Sequence, residues 1–294
     1  MSTDTDTTTG TPRSSSSVST RVKRTRSRVM ERFGSALLAA ETALVYLFLY
    51  VPVVVLIALS FNDSRFAIVW QGFTTRWYEA LLAGRAIGRV DPGAAWIALR
   101  HSIEIALVTV LVSTVFGTML ALALDRYDFP GKGLFSGLVY MPIIIPSIVM
   151  GISLLLFFNV LGLTLGLGTA IIGHVAFDVS FVTIIVLARL RRFDRTMEEA
   201  AMDLGAHELE TFRYITFPLI KPGITAGALL GFAMSFDDFV VTFFIVGNQN
   251  TLPIFFFGMV RQGISPGVNV VASLILVGTL VVIVAAQWIE GPMW

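Results

Sequence analysis

Glu198-Glu199-Ala200-Ala201-Met202-Asp203-Leu204-Gly205, running on to Thr216-Phe217-Pro218, is the longest charged, polar insertion between apolar segments in the second half of the chain. Thr196 followed by Glu199 has the spacing of a capping box, which starts a helix there. Gly205 stops it, since glycine reaches the left-handed conformation that closes a helix. A second short helix, from about His207 to Thr216, ends before Pro218. Two short helices joined at a glycine make an elbow, displayed between two apolar runs. Taken alone, these residues are equally compatible with an amphipathic surface loop.

Composition sets the class around that stretch. Of 294 residues 55% are hydrophobic and only 14% charged, the balance of an integral membrane protein. There is no cysteine, which excludes disulfides and thiolate metal sites and leaves the redox compartment unread. Each bilayer crossing takes about 20 apolar residues, so this length holds about six spans and little else. The fold class is therefore all-α, with about six transmembrane helices and the elbow between spans four and five.

Residues 1–34 are rich in Ser, Thr and Asp, then basic at Arg21, Lys23, Arg24, Arg26, Arg28 and Arg32, and read as a disordered basic tail. The apolar run 35–61, with Pro52 as an expected kink, is too long for a signal-peptide core and reads as a first transmembrane anchor. Residues 62–95 form a mixed loop, and Trp70, Trp77, Tyr78 and Trp96 suit an interfacial belt. Within 96–290 lie five further spans, near 101–124, 134–158, 169–190, 223–246 and 268–288. Pro142 and Pro146 break the third span, which is tolerable where neighbours satisfy the freed carbonyls.

Basic residues set the orientation. The tail, the turn Asp125 to Gly133 and the elbow, with Arg189, Arg191, Arg192, Arg195, Arg213 and Lys221, share one side. Arg65, Arg76, Arg85, Arg89, Arg100 and Arg261 lie on the other. The excess places both termini and the elbow on the cytoplasmic side of the membrane.

Glu199-Ala200-Ala201, Gly205, Ile215 and Pro218 resemble the EAA signature of permease subunits of ABC importers, with Phe217 where leucine is usual. Ser235-Phe236-Asp237-Asp238-Phe239-Val240-Val241-Thr242, with Leu252-Pro253 and Gly263-Ile264-Ser265-Pro266, is similar to spermidine/putrescine permeases of the PotC/PotI type. The resemblance covers about Trp96 to Trp288. It implies that the elbow is a coupling helix, with Glu198, Glu199, Ala200, Ala201, Asp203, Gly205 and Pro218 serving a separate ATPase subunit. It also implies a second permease, an ATPase dimer carrying ATP and magnesium, and an extracytoplasmic substrate-binding protein.

The fifth span reads as a pathway helix on its own terms. Gly223, Gly227, Gly231 and Ser235 recur every fourth residue and make one small face for close helix approach. On a continuous helix Asp238 falls on that face with Thr242 close by, Asp237 lies beside it, and Phe232, Phe236, Phe239 and Phe243 cluster elsewhere. Gly223 to Asp238 is roughly 22 Å of helix, which puts the acidic pair in the outer half of the membrane. A mid-span carboxylate costs about 2.5 to 3.5 kcal/mol on insertion scales and so faces a cavity or a partner. A polyamine path needs such groups, because an ammonium gives up water only for carboxylates, carbonyls or aromatic faces. Asp238, Asp237, Ser235 and Thr242 are the pathway candidates, Asp238 first. The alternative is an interhelical ion pair or a helix end in the wet interface.

His174 and Asp178, at i and i+4, read as a satisfied pair in preference to pore lining. Glu104 belongs at the boundary beside Arg100, and His207 in solvent. No phosphate-binding G-x-x-x-x-G-K-[ST] loop occurs, so no ATP hydrolysis and no catalytic residue is expected in this chain. His207-Glu208 is followed by Thr211 where a zinc helix needs histidine, so no metal site is expected either. The basic tail suits anionic lipid, and nucleic-acid binding is not expected. An ATP-driven permease for polyamines fits best. Another solute, such as iron, phosphate or sugar, or an ion-coupled secondary transporter using Asp237 and Asp238, are the alternatives.

Overall fold

The computed structural model describes the backbone of residues 16–64, 69–88, 90–192, 194–261, 263 and 265–290, and the side chains of 35 and of 37 to 281 within that set. Arg65, Arg89, Ile264, Trp294 and the first part of the tail, 1–15, lie outside it. Twelve helices follow one another among the described residues: α1 (Ser16–Ser60), α2 (Arg76–Leu82), α3 (Pro92–Arg126), α4 (Lys132–Ile144), α5 (Ser147–Val160), α6 (Leu167–Leu190), α7 (Thr196–Asp203), α8 (Glu208–Thr211), α9 (Phe217–Asp237), α10 (Val240–Ile245), α11 (Leu252–Arg261) and α12 (Pro266–Glu290). Four stretches are long and apolar enough to cross a membrane: Leu37–Ser60, Pro92–Arg126, Leu167–Leu190 and Glu208–Asp237. The bent pair Lys132–Ile144 and Ser147–Val160 supplies a fifth, and α12 stands where the sixth span was expected.

The chain divides into two compact units, Met1–Ala58 and Leu59–Trp294. In the first, α1 begins at Ser16, inside the tail read as disordered. No glycine or proline interrupts Ser16 to Phe33, so nothing stops a helix from running upstream of the apolar run. Pro52 lies inside α1 without ending it.

The second unit is built around α3, α6 and α9. α3 and α6 run parallel, because Ile105 clusters with Ala170 and Phe177 while Ala121 clusters with Val182, Val186 and Leu190. α9 runs against α6 through the expected small face, whose four members Gly223, Gly227, Gly231 and Ser235 are all buried. A Cβ added at Gly223 would sit 2.9 Å from Cβ of Arg189, and one at Gly227 3.4 Å from Cα of Val182. One at Gly231 would sit 3.5 Å from a carboxylate oxygen of Asp178. From α3, a Cβ at Gly117 would lie 2.8 Å from Cβ of the same Val182 and 3.0 Å from the Val179 carbonyl. The two glycines therefore bring three backbones to within one valine of each other.

The third expected span differs from expectation. It is not one kinked helix but two, bent by 110° at Ile145-Pro146. Ile145 takes φ −71°, ψ 128°, the extended conformation that a following proline imposes. Pro142 remains inside α4, so only the second proline breaks the chain. The preceding turn holds Lys132 Nζ 2.8 Å from an Asp128 oxygen. That hydrogen bond, then the ammonium charge, hold the Asp128 carboxyl below its ordinary range, so the link is present at neutral pH and lost as pH falls through that lowered value.

The expected aromatic belt is only half a belt. Trp70 and Trp96 are exposed, but Trp77 donates its indole N–H to the Asn62 carbonyl at 2.8 Å and packs with Tyr78 onto the cluster of Leu81, Val90, Met259 and Val271. Asn62 holds this loop together, donating to the Val69 carbonyl (2.7 Å) and accepting from the Gln71 N–H (2.9 Å). Glu104 lies 3.9 Å from Arg100, as expected.

If Val182 sets the approach of the three helices, Gly117→Val lowers stability by about 1–3 kcal/mol through overpacking. Gly133→Ala, where an added Cβ meets nothing within 4 Å, stays within about 0.5 kcal/mol of wild type. Thermal unfolding of the detergent-solubilised protein checks both, and equal behaviour of the two variants contradicts the packing.

Candidate functional site

The elbow starts where expected but by different chemistry. The carboxylate of Asp194 accepts the Thr196 N–H at 3.0 Å, in place of the Thr196–Glu199 box. Asp at this position satisfies a free N–H of the first turn as well as a box would. At the other end Gly205 has φ +96°, its N–H donates to Met202 and the Ala206 N–H reaches Ala201, a paired closure that requires the left-handed residue. The second elbow helix does not end before Pro218. Glu208–Thr211 passes through a π-helical turn, Phe212–Thr216, straight into α9, and Pro218 sits in the first turn of α9 where its missing N–H breaks nothing. His207 is exposed and its N–H is accepted by Glu210 at 3.1 Å.

The elbow residues divide into two sets. Glu198 turns inward: one oxygen accepts from Arg126 Nη2 at 2.7 Å and from Thr216 Oγ1 at 2.5 Å. Arg195 then donates to the carbonyl and carboxylate of Asp125, next to Arg126. The end of α3, the elbow and the start of the α8–α9 helix are thus pinned through one carboxylate. Glu199, Ala200, Asp203 and Gly205 face outward with Leu204, which is 91% exposed, while Ala201 and Pro218 flank them. A cavity of about 560 Å³ opens between Leu122, Arg126, Glu199, Met202 and Leu209. Arg126 and Thr216 were not paired with Glu198 in the sequence, because they lie 72 and 18 residues from it.

The pathway candidates come together, but not on one helix. α9 ends at Asp237, and Asp238 adopts φ −65°, ψ 119°, so the helical wheel does not extend to it. The cause is local: the Asp238 carboxylate accepts the Thr242 N–H at 2.8 Å, capping the first turn of α10 and competing with continuation of α9. Asp237 is exposed. Ser235 and Thr242 are buried on either side of the break and meet at His174 of α6, whose Nδ1 is 2.7 Å from Ser235 Oγ and whose Nε2 is 2.8 Å from Thr242 Oγ1. Thr242 Oγ1 is also 2.8 Å from an Asp238 oxygen, and His174 Nε2 is 3.5 Å from the same oxygen. All bonds are satisfied at once when the Thr242 hydroxyl donates to Asp238, Nε2–H donates to Thr242, and Nδ1 accepts from Ser235.

His174 and Asp178 are therefore not a satisfied pair. His174 is spoken for by Ser235 and Thr242, and Asp178, wholly buried one turn along, has no hydrogen-bond partner on either carboxylate oxygen among the described residues. The i, i+4 spacing was a signal of the cluster, read with the wrong partner. The break at Asp238 also splits the expected phenylalanine face. Phe232 stacks on Phe236 at 5.8 Å, whereas Phe239 and Phe243 join Phe257 of α11 at 4.7 and 6.3 Å. Phe243 and Phe257 border a cavity of about 640 Å³ with Asn250, Phe255 and Arg261.

The chain is 42% identical over 246 residues to the spermidine/putrescine transport system permease protein PotC of Escherichia coli strain K12, covering 83% of this chain and 90% of that one. It is 38% identical over 239 residues to the putrescine transport system permease protein PotI of the same organism, covering 79% and 82%. Among solved structures, a bacterial ABC transporter involved in the import of the acidic polysaccharide alginate shares the fold with a TM-score of 0.66 at 17% identity, over 97% of this chain and 100% of that one. Residues 113–293 match the family described as binding-protein-dependent transport system inner membrane component. A multi-pass helical chain with a glycine-closed elbow between α6 and α9, it belongs to that family of transport permeases.

Proposed function

We propose that this chain is the transmembrane permease subunit of an ATP-driven importer of polyamines, spermidine or putrescine, working by alternating access. The observation that carries the reading is the 42% identity to a spermidine/putrescine permease across 90% of that protein's length. The elbow and both termini face the cytoplasm. A separate ATPase dimer, which binds the ATP and magnesium, docks on the outward residues Glu199, Ala200, Asp203 and Leu204. A second permease completes the route, and an extracytoplasmic binding protein delivers the substrate. The chain is a transport subunit and carries no catalytic residue.

The geometry supports a division of labour. Glu198 faces inward and links the elbow to α3 through Arg126, so displacement of the docking face is passed to the helix that packs on α6. Asp238, Ser235 and Thr242 sit at the far end of the α6–α9 contact, where a broken helix places a carboxylate among hydroxyls, and Asp237 stands exposed beside them. A carboxylate with an aromatic cavity bordered by Phe243 and Phe257 nearby matches the needs of a desolvating ammonium.

Reconstituted with its partners and binding protein, the complex shows ATPase activity stimulated by putrescine or spermidine and not by ferric ion, phosphate or maltose. Stimulation by one of the latter alone discards the polyamine reading. Asp238→Asn, at equal membrane abundance, reduces polyamine uptake by about tenfold or more, the scale of one lost charge-assisted hydrogen bond. Unchanged uptake takes Asp238 off the route. Glu198→Ala leaves Arg126 with Asp125 at 3.5 Å but no link to the elbow helix, and uncouples the two activities: partner ATP hydrolysis persists while uptake drops about tenfold. Uptake and hydrolysis falling in proportion would argue against force transfer through this contact.

A further inference from the structure

The least explained group in the molecule is Asp178. It lies in the middle of α6 with no exposed surface, and neither carboxylate oxygen has a hydrogen-bond or ion-pair partner among the described residues. A buried carboxylate left unpaired is among the most costly arrangements a protein can hold. The helix register says what surrounds it. Gly117 of α3 touches Val182 of α6, and the two helices run parallel, so one turn back Ser113 comes level with Asp178 and a further turn back Thr109 comes level with His174. On the antiparallel side Gly231 abuts the Asp178 carboxylate and Val110 closes the gap. Ser113 Oγ and Thr109 Oγ1 are themselves buried and without hydrogen-bond partners among the described residues. Two orphan hydroxyls and an orphan carboxylate thus line one seam between three helices.

That seam continues into the cluster already described. Asp178 is one turn, about 6 Å of rise, from His174, and His174 Nε2 is 3.5 Å from Asp238. Asp178 therefore lies one turn along α6 from the histidine whose ring reaches Asp238, one carboxylate at the edge of the cluster and one sealed behind it, with Val110 against the same seam and Val182 one turn further on. Two ammonium groups joined by a short aliphatic chain suit two carboxylates placed in this way, with each charge on a carboxylate and the methylenes against the apolar wall.

We propose that Asp178 is the inner carboxylate of the substrate route, taking one ammonium of an aliphatic diamine while Asp238 takes the other, and that it is reached when α9 draws back from α6 along its glycine face. The inference rests on the polyamine reading above and adds a residue to it. The small face makes the movement feasible, because at Gly231 only a hydrogen stands between the α9 backbone and the Asp178 carboxylate.

The chain has no cysteine, so Asp178→Cys carries its single thiol. The assembled complex is treated with aminoethyl methanethiosulfonate, nucleotide-free and vanadate-trapped, and modification of this chain is read by mass spectrometry. The thiol is expected to be modified in one state and protected in the other, with putrescine slowing the reaction in the reactive state. No modification in either state, or modification that putrescine does not slow even far above the wild-type half-maximal concentration, overturns the proposal. If ferric ion, phosphate or maltose slows it and putrescine does not, the residue lines a route but the diamine assignment is lost along with the polyamine reading. Asp178→Asn, isosteric and uncharged, gives an answer without a thiol: the putrescine concentration for half-maximal transport rises about tenfold or more. An unchanged half-maximal concentration, with polyamine-stimulated ATPase intact in wild type, removes Asp178 while leaving the substrate class standing.

Discussion

Val182 is gripped by two residues that have no side chain. Gly117 of α3 and Gly227 of α9 both press on it, and the rest of the second unit depends on the helix spacing that results. In a lipid-facing protein there is no hydrophobic driving force between helices, since lipid tails are as apolar as leucine, so close van der Waals contact has to hold them together. A seam this tight also excludes water from whatever is placed in it. That is why the hydroxyls and carboxylates along α6 find their partners within the protein or find none.

The second organising feature is the interruption at Asp238. A carboxylate in an apolar helix is a burden; at a helix break it becomes a cap, because it satisfies the Thr242 N–H that the break exposes. The same oxygen lies within reach of the Thr242 hydroxyl and of His174, so one group both ends α9 and anchors α10 to α6. Structure and recognition are therefore not separable here. Any cation bound at Asp238 competes directly with the bonds that fix the end of α9.

Much of this was legible in the sequence. The four-residue recurrence of Gly223, Gly227, Gly231 and Ser235 located the buried face of α9 because small residues at helical spacing have few other uses. The elbow helix and its glycine stop were legible because left-handed closure is a local property of the chain. What escaped was non-local or competitive. No glycine or proline marks the end of α9; the stop comes from a side chain outcompeting the backbone, which periodicity cannot register. Arg126 and Glu198 meet only once the fold exists. Pro218 reads as a terminator in isolation, yet it is harmless in a first turn, so the apparent second elbow helix was the beginning of α9. His174 pointed to the right place and the wrong neighbour.

The π-helical turn at Phe212–Thr216 carries one residue more than the α-helical turn it replaces. An extra residue is worth about 100° of phase about the helix axis. It therefore acts as an angular spacer, setting the direction in which the elbow projects relative to the glycine stripe of α9. Wound as an uninterrupted α-helix, the same residues would carry the glycine stripe about 100° round the axis for the same placement of the elbow, a quarter-turn difference in how the docking face seats on a partner.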